Sequence, residues 1–202
     1  MKYITNVLPL LISLVFAHIL LYFTYIDKDV FWYMYTAAIL FLITFALFQQ
    51  LPKNESSRRE VYLYGILSGV FLYVTFKVGY VVLAIFLPSI QKDVNKLYDL
   101  YSPEFIWHYL VLFLIFIPGE EIFWRGFFQQ KLANKMNASV AILLSSLAYA
   151  SIFYYSPQPI WMLAALVAGL FWGILYQWKQ SLKLVIISHL VFDLLFIILL
   201  PL

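Results

Sequence analysis

The chain is an all-α, polytopic membrane helix bundle of about seven transmembrane helices, and three observations predict it. Of its 202 residues, 64% are hydrophobic and 11% charged, against roughly 25% charged in soluble domains. Mean hydropathy is +0.89. The apolar residues gather into runs of about 20, the length at which a helix crosses a hydrocarbon core, and turn-forming residues separate the runs. No polar stretch is long enough to fold by itself, so residues 1–202 form one bundle.

The first run follows Met1-Lys2 and reaches Tyr25. It exceeds the apolar core of a secretory signal, about 7–15 residues, and no small-residue cleavage site follows, so it reads as a retained span over about 4–25. Asp27-Lys28-Asp29 divides it from a second span over about 30–50. Pro52 to Glu60 forms the next connection. The third span, about 61–86, is over-long and holds Lys77; it is expected to tilt or to end early and leave Val81 to Ile90 near the interface. Gln91 to Pro103 reads as a loop. The remaining spans cover about 105–129, 138–155, 159–178 and 183–201. They are separated by Lys131 to Asn137, by Ser156-Pro157-Gln158-Pro159, and by Lys179 to Ser181.

Charge sets the orientation. Lys2, Lys53, Arg58, Arg59, Lys131, Lys135, Lys179 and Lys183 fall on one side, whereas Lys28, Lys92 and Lys96 fall on the other. An excess of eight to three places the N-terminus in the cytoplasm by the positive-inside bias. The net charge of +3 is spread over short loops, which argues against nucleic acid as a partner and for the lipid bilayer as the surroundings. The absence of cysteine excludes disulfides, iron–sulfur clusters and thiolate zinc sites. Gly65 and Gly69, and the series Ala165, Gly169, Gly173, give smooth faces for close helix approach. Many of the sixteen tyrosines and six tryptophans read as interfacial belt residues. His18 and His108 have no charged neighbour at helical spacing and read as structural.

Charges inside spans carry the functional signal, since each costs about 2.5–3.5 kcal/mol near the bilayer centre. In Pro118-Gly119-Glu120-Glu121-Ile122-Phe123-Trp124-Arg125-Gly126, Glu121 and Arg125 are four apart with the acid first, the favoured order for a helical ion pair. Glu120 is rotated about 100° from that pair. It is free to face a low-dielectric cavity as a general base; the alternative is a structural ion pair with one stray carboxylate. The last span holds His189 and Asp193, also four apart. By helical rise Glu120 lies about 16 Å from Lys131, while His189 and Asp193 lie about 9 and 15 Å inside Lys183. The two clusters therefore reach one level in the cytoplasmic half of the bilayer.

Glu-Glu-x-x-x-Arg in one span followed by His-x-x-x-Asp in a later one resembles the CAAX-protease and bacteriocin-processing family of intramembrane endopeptidases, also called the abortive-infection or CAAX protease self-immunity family. The resemblance covers roughly 104–202 and leaves 1–103 as variable N-terminal spans. It implies hydrolysis of a membrane-associated peptide or protein in a bacterial cell membrane; no His-Glu-x-x-His occurs in the sequence, so neither metal nor cofactor is expected. Glu120 maps to the base that activates water, Glu121 with Arg125 to the supporting pair, and His189 with Asp193 to the oxyanion or water-binding motif. The substrate is expected from the cytoplasmic side. The family also carries Phe-x-x-x-His in the intervening span, whereas Tyr149 and Phe153 occupy those places here and no His lies between 109 and 188. Ser146, Tyr149 and Tyr154 are the hydroxyls nearby that offer a substitute. Phe153 favours a second reading, a catalytically impaired member acting as a membrane scaffold or as an immunity or partner-binding protein whose glycine faces capture a membrane partner. A proton-relay transporter is a third reading, with no internal repeat in its support.

Overall fold

The computed structural model describes residues 4–48 and 56–202, with side chains from residue 7 onward. Lys2 and Lys53, both used for the orientation, and the start of the connection at Pro52 lie outside the described residues. Seven helices are long and apolar enough to cross a membrane, and no strand occurs among the described residues. They are α1 (Ile4–Ile26), α2 (Phe31–Leu47, preceded by a 3-10 turn Lys28–Val30), α3 (Arg58–Phe86), α5 (Ile106–Ala133), α6 (Ala138–Ser151, extended by a 3-10 turn Ile152–Tyr155), α7 (Pro159–Lys179) and α8 (Leu182–Asp193, extended by a π-helical end Leu194–Leu199). The short α4 (Ile90–Tyr101) lies between α3 and α5.

The helix starts follow from local sequence. Ser57 caps α3 in a reciprocal box with Glu60, Asn137 caps α6 by accepting from the Val140 N–H, and Ser181 caps α8 by accepting from Leu184. Each satisfies a backbone donor that the helix leaves unpaired. Pro159 begins α7, where a missing N–H costs nothing. That helix ends with Gln180 in the left-handed region at φ 44°. Lys179 then reaches Glu60 at 3.0 Å and joins the basic end of α7 to the start of α3.

Two apolar clusters divide the interior. One joins α1, α2, α5 and α6 around Leu21, Ile39, Ile117 and Phe123. The other joins α3, α7 and α8 around Leu72, Trp172, Leu184 and Phe192. The glycines of α3 belong to this second cluster. A Cβ on Gly65 would meet Ile187 and Leu184 of α8, and one on Gly69 would lie 2.5 Å from the Ser188 carbonyl oxygen. Gly169 and Gly173 of α7 likewise face Ser146 of α6 and Gln129 of α5. These faces are used inside the bundle and are not free for the partner capture that the scaffold reading assigned to them.

The third span runs to Phe86, its expected bound, so the alternative of an early end does not occur. One expectation differs from the structure. The stretch read as a loop holds α4, whose Ile90 and Val94 are buried while Lys92, Asn95, Lys96 and Asp99 are exposed. An aromatic cluster fixes that end of the bundle, with ring centroids at 4.6 Å for Phe31–Tyr101, 4.8 Å for Tyr101–Trp161 and 5.2 Å for Phe153–Trp161. These rings pack on one another, which departs from a simple interfacial belt.

Candidate active site

The helix that carries the two glutamates is not uniformly α. α5 has π-helical turns at Leu112–Phe116 and Ile122–Gln129, flanking an α-helical Ile117–Glu121. Such turns are uncommon and recur at functional sites. Gly119 sits against α2, where a Cβ would strike Ile39 and Ile43. The small residue thus lets α2 approach α5 closely. Tyr35, one turn before Ile39 on the same face, then donates its hydroxyl to Glu120 Oε1 at 2.6 Å. From α6, Tyr149 donates to Glu120 Oε2 at 2.6 Å. Each carboxylate oxygen is held by one phenol and keeps a further lone pair.

Glu121 turns to the other side of α5. Its Oε1 accepts from Arg125 Nη1 at 3.1 Å and lies 2.8 Å from His189 Nδ1, while Oε2 has no protein partner. Arg125 Nη2 donates to the Gly169 carbonyl at 3.4 Å, and the guanidinium stands 4.9 Å from the Tyr149 ring and 5.4 Å from that of Trp172. Gln129, one step further along the same face, donates to the Gly173 carbonyl at 2.9 Å. Glu121 is fully buried and Arg125 nearly so. A buried pair of this kind is held together because removing one partner strands the other charge, at about 3–5 kcal/mol.

His189 is fixed from three directions. Its ring stacks on Trp172 at 3.8 Å, its Nδ1 meets Glu121, and its Nε2 stands 3.5 Å from Asp193 Oδ2. Trp172 is itself held by its Nε1–H, which donates to Ser188 Oγ at 3.3 Å. Ser68 of α3 donates to the same Ser188 oxygen at 3.0 Å. Of the five residues singled out from the sequence, Arg125, Glu121, His189 and Asp193 form one chain of contacts, and Glu120 lines the same cavity as His189 and Asp193.

That cavity has a volume of about 470 Å³. Glu120, His189 and Asp193 line it; Glu121 and Arg125 do not. Its remaining wall is mostly apolar and includes Phe153, which is 2% exposed and packs against Tyr149 and Trp161. Of the substitute hydroxyls, Tyr149 reaches Glu120, Ser146 is buried without a partner, and Tyr154 is 76% exposed and points away. The cavity wall comes from the end of the bundle opposite Lys131 and Lys179. That differs from the expected access at the basic end, where Trp124, Arg125, Phe128 and Gln129 fill the interior beneath the glutamates.

Tyr35 and Trp172 carried no sequence signal of their own. One is among sixteen tyrosines, and the other reads as ordinary apolar helix. His18 and His108 lie apart from the cluster: His18 bonds Tyr155 and Ser151, while His108 accepts from the Glu104 N–H and stacks on Trp32.

Residues 102–195 match a protein-family model described as type II CAAX prenyl endopeptidase Rce1-like. No curated protein and no solved structure matches the chain. The matched segment begins at Ser102 and takes in α5 to α8 with all five residues singled out from the sequence. It excludes α2 and Tyr35.

Proposed function

We propose that this chain, of which residues 102–195 match the Rce1-like type II CAAX prenyl endopeptidase model, is an integral membrane protease that hydrolyses a membrane-associated peptide with water activated by Glu120. The observation that carries the reading is the division of the two acids. Glu120 lines the cavity between two phenols, whereas Glu121 is withdrawn into a pair with Arg125. A general base must reach its proton and stay correctly aimed, and the phenols supply the aim.

In this scheme Glu120 takes a proton from water as the oxygen attacks the scissile carbonyl carbon. The carbonyl oxygen gathers negative charge. His189, with Nδ1 held by Glu121, offers Nε2–H toward it, because a preorganised donor stabilises the tetrahedral intermediate. A carboxylate cannot serve that oxyanion, so Asp193 orients the imidazole. Collapse breaks the C–N bond, and Glu120 returns its proton to the leaving amine. No cofactor or metal is required. The test is Glu120→Gln, which keeps the shape, with one phenol still donating to the amide oxygen and the other now accepting from the amide N–H: processing of an anchored peptide, followed by mass spectrometry, is expected to stop while the protein still purifies folded. Undiminished cleavage by the variant sinks the assignment.

Phe153 supports a second reading, a scaffold that has kept the polar cluster for structure. An apolar ring stands where the family resemblance implies a His. On that reading Glu120→Gln retains function, and a membrane partner co-purifies in stoichiometric amount.

A further inference from the structure

The route to Glu120 is readable from what fills the bundle on either side of it. Toward the basic loops the way is closed, since Trp124, Arg125, Phe128 and Gln129 are each at most 5% exposed and Gln129 is bonded across to Gly173. A second groove does lie near that end between α3 and α7, of about 400 Å³, but Tyr64, Phe71, Phe171 and Trp178 line it and no site residue does. The stacked rings of Phe71 and Phe171, 6.0 Å apart, stand between those helices there.

Away from the basic loops the interior opens. The cavity runs from Glu120 and His189 past Gly79, Tyr80 and Leu83 near the end of α3, and past Ile160 at the start of α7. A Cβ on Gly79 would meet nothing within 4 Å. The side is open as well: Thr75 of α3 and Leu163 and Val167 of α7 line the cavity and are themselves exposed. Over the top lies α4. Ile90, Val94, Leu97, Tyr98 and Tyr101 share its face toward the cavity, at spacings of four, seven, eight and eleven that define one side of a helix. Its opposite face carries Lys92, Lys96 and Asp99 into solvent. A helix of this kind lies in the plane of the interface, so α4 marks the level of a bilayer surface, and the cavity opens beneath it.

Among the described residues, Arg58, Arg59, Lys131, Lys135, Lys179 and Lys183 lie at the closed end and Lys28, Lys92 and Lys96 at the open end, and the positive-inside bias assigns the former to the cytoplasm. We infer that substrate reaches Glu120 from the non-cytoplasmic side, laterally between α3 and α7 and beneath α4. The substrate is then a peptide already translocated and held in the outer leaflet by an apolar segment, not a tail presented from the cytosol. The identity of what passes rests on the peptidase reading above; the location of the passage does not.

The cysteine-free chain allows a direct test on the full protein. Single-cysteine variants Ser102→Cys beneath α4, Gly79→Cys in the cavity and Asn134→Cys in the α5–α6 loop are treated in intact cells with a charged, membrane-impermeant maleimide. Ser102→Cys and Gly79→Cys are expected to label, and Asn134→Cys to label after the cells are opened. The reverse pattern overturns the sidedness. Gly79→Cys that stays unlabelled even in opened cells overturns the cavity as an aqueous route. In a second arm, vesicles of each orientation receive a quenched fluorogenic peptide bearing an acyl anchor. Cleavage is expected from the Ser102 face, and cleavage from the Asn134 face overturns the route. No cleavage from either face counts against the peptidase reading, while the labelling still decides where the passage lies.

Discussion

At the scale of single residues, two phenols decide how Glu120 is presented. A hydrogen bond to a charged group contributes about 1.5–3 kcal/mol, and about 1.4 kcal/mol is a factor of ten in rate. Tyr35→Phe is therefore expected to lower kcat by about ten- to a hundredfold with KM little changed, read on the peptide used for Glu120→Gln. An unaltered kcat would mean that the hydroxyl merely fills space. Arg125→Met acts on the other carboxylate: it strands Glu121 with His189 alone and is expected to destabilise by about 3–5 kcal/mol, measured by thermal unfolding in detergent. The Glu121–Arg125 contact was legible from spacing, because residues four apart on a helix must adjoin. Tyr35 was not, because its bond spans 85 positions and depends on how two helices approach.

Elements show the same division. The seven long helices announce themselves, since the hydrocarbon core imposes a length and a composition that few other segments meet. α4 escaped that rule by being too short to cross, although Ile90, Val94, Leu97, Tyr98 and Tyr101 already held a helical spacing. The π-helical turns of α5 leave no mark in composition; they arise from hydrogen-bond choices made when the bundle packs. Gly119 is where packing and chemistry meet. Gly119→Ala forces a methyl against Ile39 and Ile43 and should cost about 1–3 kcal/mol in overpacking, while drawing the Tyr35 hydroxyl off Glu120. Gly79→Ala, with open space around it, is its control. A lower unfolding temperature for the first alone, with a lower kcat for Gly119→Ala, is the expected outcome; equal unfolding temperatures of the two would refute the close-approach argument.

For the whole molecule, the matched family segment is smaller than the site. α2 supplies a phenol to Glu120, and α3 backs α8 through Gly65, Gly69 and the Ser68–Ser188 bond. A chain restricted to residues 102–202 is expected to be inactive and to aggregate in mild detergent. Co-expression of residues 1–101 as a separate chain should restore both solubility and cleavage, because the break falls in the turn between α4 and α5. An active, monodisperse short chain would show that the first three spans are dispensable. None of this interdependence is visible in the sequence, where α1 to α3 read as variable spans; it exists in the cavity, whose walls come from both halves.

The open side of that cavity changes what selectivity means for this site. Thr75 and Val167 line the cavity and are exposed on the side of the bundle, and lipid tails are as apolar as any leucine. A greasy ligand therefore gains little by leaving the bilayer for the cavity: it exchanges one hydrocarbon neighbour for another. Discrimination falls to the polar floor, where Glu120, His189 and Asp193 offer what a lipid tail cannot answer. Occupancy is then decided by whether a backbone amide can satisfy those three side chains.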